Sequence, residues 1–225
     1  MKKLLVILSS LALCSGIFAD SYSDATGDTF FGTLLDITSV DVANTANQLI
    51  FTINIAGDPV ATDWGKYLVG INTTGGGDTA GNGWGRPISM STGMDYWLGS
   101  WVDSGNGAEL WNYSGSWSMV DATYNANTIN LSTTKDTSSV TVAVDLSALG
   151  LAVGNSFTFD VYTTGGGGTD GAIDALSDDL QTIANWGDAY QSGSVLDSYT
   201  IVPEPSVIGL AALAGALVLL RRRRR

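Results

Sequence analysis

Apolar residues in this chain come in short runs that alternate with period two, and that pattern decides what the chain can fold into. In QLIFTINIA, Leu49, Phe51, Ile53 and Ile55 share one face, with Ile50, Thr52 and Asn54 opposite. SVTVAVDL places Val140, Val142, Val144 and Leu146 together, and SFTFDVYT does the same with Phe157, Phe159 and Val161. Successive side chains of a strand point to opposite faces, so each run reads as a half-buried strand. LDITSVDVA starts in phase at Leu35 and Ile37, then shifts to Val40 and Val42, which predicts a β-bulge near Thr38–Ser39. KYLVGIN, DYWLGSWV, AELWNY, SWSMV, TINL and SYTI add further strands, separated by turns rich in Gly, Asn, Asp, Ser and Thr. SALGLAVGNS reads as a crossing loop plugged by Leu149, Leu151 and Val153. The one expected helix runs from Asp170 to Thr182, where Ala172, Ile173, Leu176, Leu180 and Ile183 recur at helical spacing. The expected fold class is therefore all-β: a single antiparallel β-sandwich of jelly-roll type.

The two ends of the chain follow other rules. Lys2 and Lys3 precede an apolar stretch, Leu4 to Leu13, and Gly16-Ile17-Phe18-Ala19 supplies a small residue at the end. This predicts a signal peptide cut after Ala19. The one cysteine, Cys14, lies inside it, so the mature chain has no disulfide. The other end is VPEPSVIGLAALAGALVLLRRRRR. As a helix, Val207 to Leu220 covers roughly 21 Å, short of the ~30 Å hydrocarbon core of a bilayer. Arg221 to Arg225 extend that reach, because arginine side chains snorkel to the cytoplasmic interface. Pro203 and Pro205 stop the helix from continuing upstream. The predicted organisation is a signal peptide over 1–19, an ectodomain over 20–201 and a C-terminal segment with a transmembrane helix over 202–225.

Pro-Glu-Pro, then an apolar helix, then an arginine cluster: in that order the last residues resemble a PEP-CTERM sorting signal. The resemblance implies that Pro203, Glu204 and Pro205 are recognised by an exosortase-type membrane protease. It also implies transient anchoring in the inner membrane, followed by delivery to the cell surface or the extracellular polysaccharide matrix.

Charge narrows the function. Between Asp20 and Val202 lie 21 of the 22 acidic residues and only three basic ones, Lys66, Arg86 and Lys135. A net charge of about −18 argues against nucleic acid, whose phosphates require a basic face. The chain has no histidine. That removes Ser-His-Asp and Cys-His chemistry and the usual zinc sites, and leaves hard, oxygen-seeking ions such as calcium. Asp24 and Asp28 in DATGD, and Asp78 and Asn82 in GGGDTAGNG, are the candidate ligands. Ala80 and Ser89 occupy ligand positions of an EF-hand loop started at Asp78, so that pattern fails. Asp170, Asp174 and Asp178 would repel one another on the expected helix unless solvent screens them or a cation gathers them. Each cluster reads equally well as solvated acidic surface.

Aromatic residues supply the other candidate site. In DYWLGSWV, Trp97 and Trp101 point to one side with Gly99 between them, roughly 13 Å apart along the strand. Trp111 and Tyr113 share a face of the next strand. If the two faces coincide they form a platform on which sugar rings stack; the same residues would otherwise fill a sheet interface. Trp84 stands beside Arg86, whose guanidinium would fork sugar hydroxyls or a carboxylated sugar, or else form a structural ion pair. TTGGGD and GGGG lack the Lys-Ser/Thr of a phosphate loop, and no carboxyl pair stands out for glycoside hydrolysis.

From LDITSVDVANTANQLIFTINIAG through WGKYLVGINTTGGGD to VTVAVDLSALGLAVGNSFTFDVYT, the strand order resembles the DOMON-like sandwich superfamily that includes family 9 carbohydrate-binding modules. The resemblance implies sugar held between aromatic side chains, often with a structural calcium elsewhere, and assigns no ligand position. The expected function is a non-catalytic module that binds extracellular polysaccharide. The alternatives are a structural envelope or biofilm-matrix protein without a small ligand, and a small polysaccharide hydrolase.

Overall fold

A computed structural model of the chain describes residues 19–204; the expected signal peptide up to residue 18, and Pro205 with the apolar and arginine segment after it, lie outside the described residues. The strands in chain order are β1 (Ala19–Ser23), β2 (Ile37–Asn44), β3 (Gln48–Ile55), β4 (Lys66–Asn72), β5 (Ile88–Met90), β6 (Tyr96–Trp101), β7 (Gly107–Tyr113), β8 (Trp117–Ala122), β9 (Ser132–Lys135), β10 (Ser139–Asp145), β11 (Ser156–Thr164), β12 (Asp174–Ala175), β13 (Tyr190–Ser192) and β14 (Asp197–Thr200). Two short 3-10 turns, Thr33–Leu35 and Leu146–Leu149, are the only helical elements among the described residues.

The fold is all-β. One antiparallel sheet has the order β1-β2-β3-β10-β9. The other runs β12-β11-β4-β6-β7-β8, with β14 also paired to β11. The phase shift read in LDITSVDVA is a real irregularity: the β2–β3 register slips between Ile37 and Ser39. The slip lets Ile37, Val40 and Val42 all point inward. Val42, Phe51 and Val142 from the first sheet share one apolar cluster with Val69, Leu98, Leu110 and Phe159 from the second. Leu149 and Leu151 close one end of it.

The second sheet is covered on its outer face as well. A second cluster gathers Leu68, Trp97 and Tyr162 of that sheet beneath Ile88, Met90, Met94, Ile173 and Ile183. Those covering residues belong to two long excursions, one between β4 and β6 and one after β11. A small parallel ribbon, β5 with β13, ties the excursions together, so the pairing is not wholly antiparallel.

Three local expectations are corrected. Asp170 to Thr182 is not helical: Ile173 N–H donates to Thr163 and Leu176 N–H to Val161, both on β11. Five consecutive residues, Ala172 to Leu176, are buried, and Leu180 stands 73% exposed, so no helical face exists. These hydrogen bonds to β11 override the helical spacing. TINL is turn and coil ahead of β9. Val153 is exposed and plugs nothing.

Candidate functional site

The outer face of β6, β7 and β8 carries most of the tryptophans. Register places Trp97 opposite Trp111, Gly99 opposite Glu109 and Trp101 opposite Gly107. Trp111 in turn faces Met119, and Tyr113 faces Trp117. The two aromatic faces read from the sequence therefore coincide. Trp84 reaches the same place from the excursion after β4. Its ring lies over Gly99, where an added Cβ would stand 2.5 Å from Cε2. Trp101 likewise lies over Gly107, with its Cε2 2.5 Å from a Cβ there. Glycine at both places is what lets an indole rest directly on the backbone of the sheet.

Glu109 holds the group together. Its Oε2 accepts the indole N–H of Trp84 at 2.6 Å and of Trp111 at 2.8 Å, while its Oε1 accepts the Tyr124 hydroxyl at 2.5 Å. The hydrogen bond to Glu109, with burial and the Glu109 charge adding, pushes the Tyr124 phenol up to about 12. Trp84, Trp101 and Tyr124 follow one another with ring centres 6.5 and 6.2 Å apart, tilted by 36° and 34°. Trp84, Trp101 and Trp111 are half-buried, and Tyr124 is 62% exposed. Next to them Tyr113 meets Trp117 at 5.5 Å.

Several predicted residues take other roles. Trp97 is fully buried, covered by Trp84 edge-on at 6.5 Å and stacked on Tyr162 at 6.1 Å, so it offers no surface to a ligand. Arg86 is buried too. Its guanidinium donates to the Thr164 hydroxyl and to the carbonyls of Gly167 and Asp170, and sits 5.5 Å from the Trp84 ring. It ties the Gly165–Gly168 loop beneath Trp84 instead of forking sugar hydroxyls. Asp78 accepts the Trp117 indole N–H at 2.8 Å and the Ala80 amide at 2.9 Å. Asn82 donates to the carbonyls of Arg86 and Ile88 and accepts the amides of Trp84 and Arg86. Both are latches of the loop that carries Trp84, and neither joins a cluster of acidic ligands.

Asp24 and Asp28 have a different setting. Asp28, Asp36 and Asp174 bring one carboxyl oxygen each within 4.8 Å of one another. Burial first, then the charges of Asp174 and Asp28, pushes Asp24 up to about 8. Burial, with Asp28 and Asp36 adding, pushes Asp174 up to about 7. Asp28 and Asp36 are raised as well, mainly by burial. Asp170 and Asp178 stand apart: Asp170 closes a turn onto the Gly167 amide, and Asp178 accepts the Tyr190 hydroxyl. Glu109, Tyr124 and Asp36 did not stand out in the sequence, and Asp174 did so only in company with Asp170 and Asp178, which the structure keeps out of its cluster. Of the first three only Glu109 left a trace, two residues before Trp111 and hence on its face.

No protein-family model matches the chain, and no curated protein matches it.

Proposed function

We propose that this chain is an exported protein, processed by an exosortase-type membrane protease at Pro203-Glu204-Pro205, whose body binds polysaccharide at the surface or in the matrix without cleaving it. The body is read as one β-sandwich of jelly-roll type. Support comes from the paired ribbon in which β3 lies beside β10 and β4 beside β11, so two adjacent strands pass together from one sheet to the other.

The observation that carries the glycan reading is the Trp84–Trp101–Trp111–Tyr124 group, resting on glycines and tied by Glu109. Rings held in place before binding lose little freedom when a sugar stacks on them. Both oxygens of Glu109 are taken by aromatic donors, which supports binding over acid–base chemistry. Among the described residues every basic side chain is engaged: Lys66 with Asp103, Lys135 with the Val102 carbonyl and Arg86 as above. That favours a neutral glycan over an anionic one.

Affinity gel electrophoresis tests the reading with soluble β-glucan, xylan and mannan as neutral probes and alginate as an acidic one. Wild type is expected to be retarded by a neutral polymer, and Trp101→Ala with Tyr124→Ala to migrate freely while still unfolding cooperatively at a lowered melting temperature. No retardation of wild type favours the structural matrix protein, and release of reducing ends favours the hydrolase. Intact mass of the secreted protein reports whether the chain ends near Pro203-Glu204-Pro205.

A further inference from the structure

The acidic pocket is short of donors. Asp24 Oδ1 accepts the Ala25 amide and Asp36 Oδ2 the Gly27 amide, both at 2.9 Å. Asp174 accepts from Ile37 at 2.6 Å and Ala175 at 2.9 Å. Asp24 Oδ2, both oxygens of Asp28 and Asp36 Oδ1 are buried with no hydrogen-bond partner. Asp36 is 1% exposed, so water cannot substitute freely. An unpaired buried carboxyl oxygen is costly, and the pocket has four. Lys66, Arg86 and Lys135 are committed elsewhere, so no side-chain cation balances them. An all-oxygen, acidic donor set converging from several sides fits a hard divalent ion.

We infer that Asp24, Asp28, Asp36 and Asp174 form a calcium-class divalent cation site that clamps the 24–36 segment onto β12, and thereby sets a second aromatic cluster. The segment carries Phe30 and Phe31 between its acidic ends. Phe30 meets Trp186 at 5.3 Å, and Phe31 meets Trp186 at 4.7 Å and Trp64 at 5.6 Å. Phe31 is nevertheless 42% exposed, so the cluster borders solvent. Without a cation, repulsion among the carboxyls works against the contacts that seat these rings. With one, both ends of the segment are pinned to a strand that β11 already holds through Tyr162↔Ala175 and Thr163↔Asp174. Trp64 and Trp186 are thus natural optical reporters of the site. The inference stands apart from the glycan reading, since the pocket shares no residue with the Glu109 group.

Calorimetric titration of the chelator-treated ectodomain with CaCl2, and separately MgCl2, tests it, with thermal melting and tryptophan fluorescence in parallel. Expected are one saturating site for calcium, a higher melting temperature and a fluorescence change. Asp36→Asn and Asp28→Asn should each weaken calcium at least tenfold while raising the melting temperature of the metal-free protein, which shows that they fold. Trp64→Phe with Trp186→Phe should abolish the fluorescence change and keep the binding heat. No saturable heat with either ion, or unaltered calcium binding in folded Asp36→Asn, would overturn the site. A fluorescence change that survives loss of Trp64 and Trp186 would overturn the coupling.

Discussion

Gly99→Ala separates a seated indole from an incidental one. Gly99 sits in the middle of β6 with a backbone any residue adopts, so alanine brings no strain of its own. A methyl group there stands 2.5 Å from Trp84 Cε2, about 1 Å inside ordinary carbon–carbon contact. The backbone is fixed by partners on both sides, in β4 and β7, so the ring must lift. Lifting it breaks the 2.6 Å bond to Glu109 and uncovers Trp97. Overpacking costs about 1–3 kcal/mol and a hydrogen bond to a charged group about 1.5–3. Reduced freedom of the unfolded chain returns about 0.4–1. The net is about 1.5–5.5 kcal/mol, with a central value of about 3.5 that lies below the ~5–15 typical of a folded domain, so the variant stays folded. At about 2–4 °C per kcal/mol, the central value lowers melting by roughly 7–14 °C. Near-UV circular dichroism should lose intensity, and affinity for the retained polysaccharide should drop about tenfold, the equivalent of ~1.4 kcal/mol of stacking. Gly168→Ala, which meets open space, is the control. If Gly99→Ala matches wild type in melting, near-UV spectrum and binding, the seating of Trp84 on the sheet is refuted.

Two further outcomes follow from the same contacts. Glu109→Ala leaves two indole N–H groups and the Tyr124 hydroxyl without their acceptor and should cost about 2–4 kcal/mol, whereas Glu109→Gln keeps an acceptor oxygen and should cost under half as much; equal urea midpoints for the two would contradict the bonding assigned. Asp160 is fully buried against Ser177, Ser192 and the Val161 amide, and burial pushes its carboxyl up to about 6. A native-state value above the unfolded one means that stability is greatest below about 4 and is lost as pH rises through about 6, by about 3 kcal/mol for this group. Asp160→Asn should flatten that part of the slope in urea titrations between pH 4 and 7.5, and an unchanged slope would remove the assignment.

Sequence alone carried the long central strands and their faces, because a half-buried strand writes its burial into every second residue; the short β1, β5, β12 and β13 left no such pattern. Phe51, Val142 and Phe159 show the alternation, and even the β2 bulge appeared as a lost beat at Thr38–Ser39. What it could not carry was set by covering loops. Trp97 and Trp101 occupy equivalent positions on β6, and only the packing of Trp84 and Tyr162 on Trp97 buries it and leaves Trp101 half-buried. The Asp170–Thr182 spacing failed for a related reason: Ala172 to Leu176 are buried on both faces while Leu180 is exposed, so the apolar residues do not mark one helical face. The acidic pocket joins Asp28 to Asp36 and, across 146 residues of chain, to Asp174, with Asp24 near enough to feel the charges of Asp174 and Asp28. No local spacing encodes that meeting. Asp78 and Asn82, close in sequence and rich in glycine turns, had the better local pattern and turned out to be loop latches.

The most direct measurement is fluorine NMR of protein labelled with 5-fluorotryptophan, titrated with the neutral polysaccharide retained in the gel assay. Each of the seven tryptophans gives one resonance, assignable by substitution. Binding on the outer face of β6–β8 predicts shifts at Trp84, Trp101 and Trp111, with Trp64, Trp186 and buried Trp97 little changed. Shifts confined to Trp64 and Trp186, or none at a polymer concentration that saturates retention, would place the glycan elsewhere.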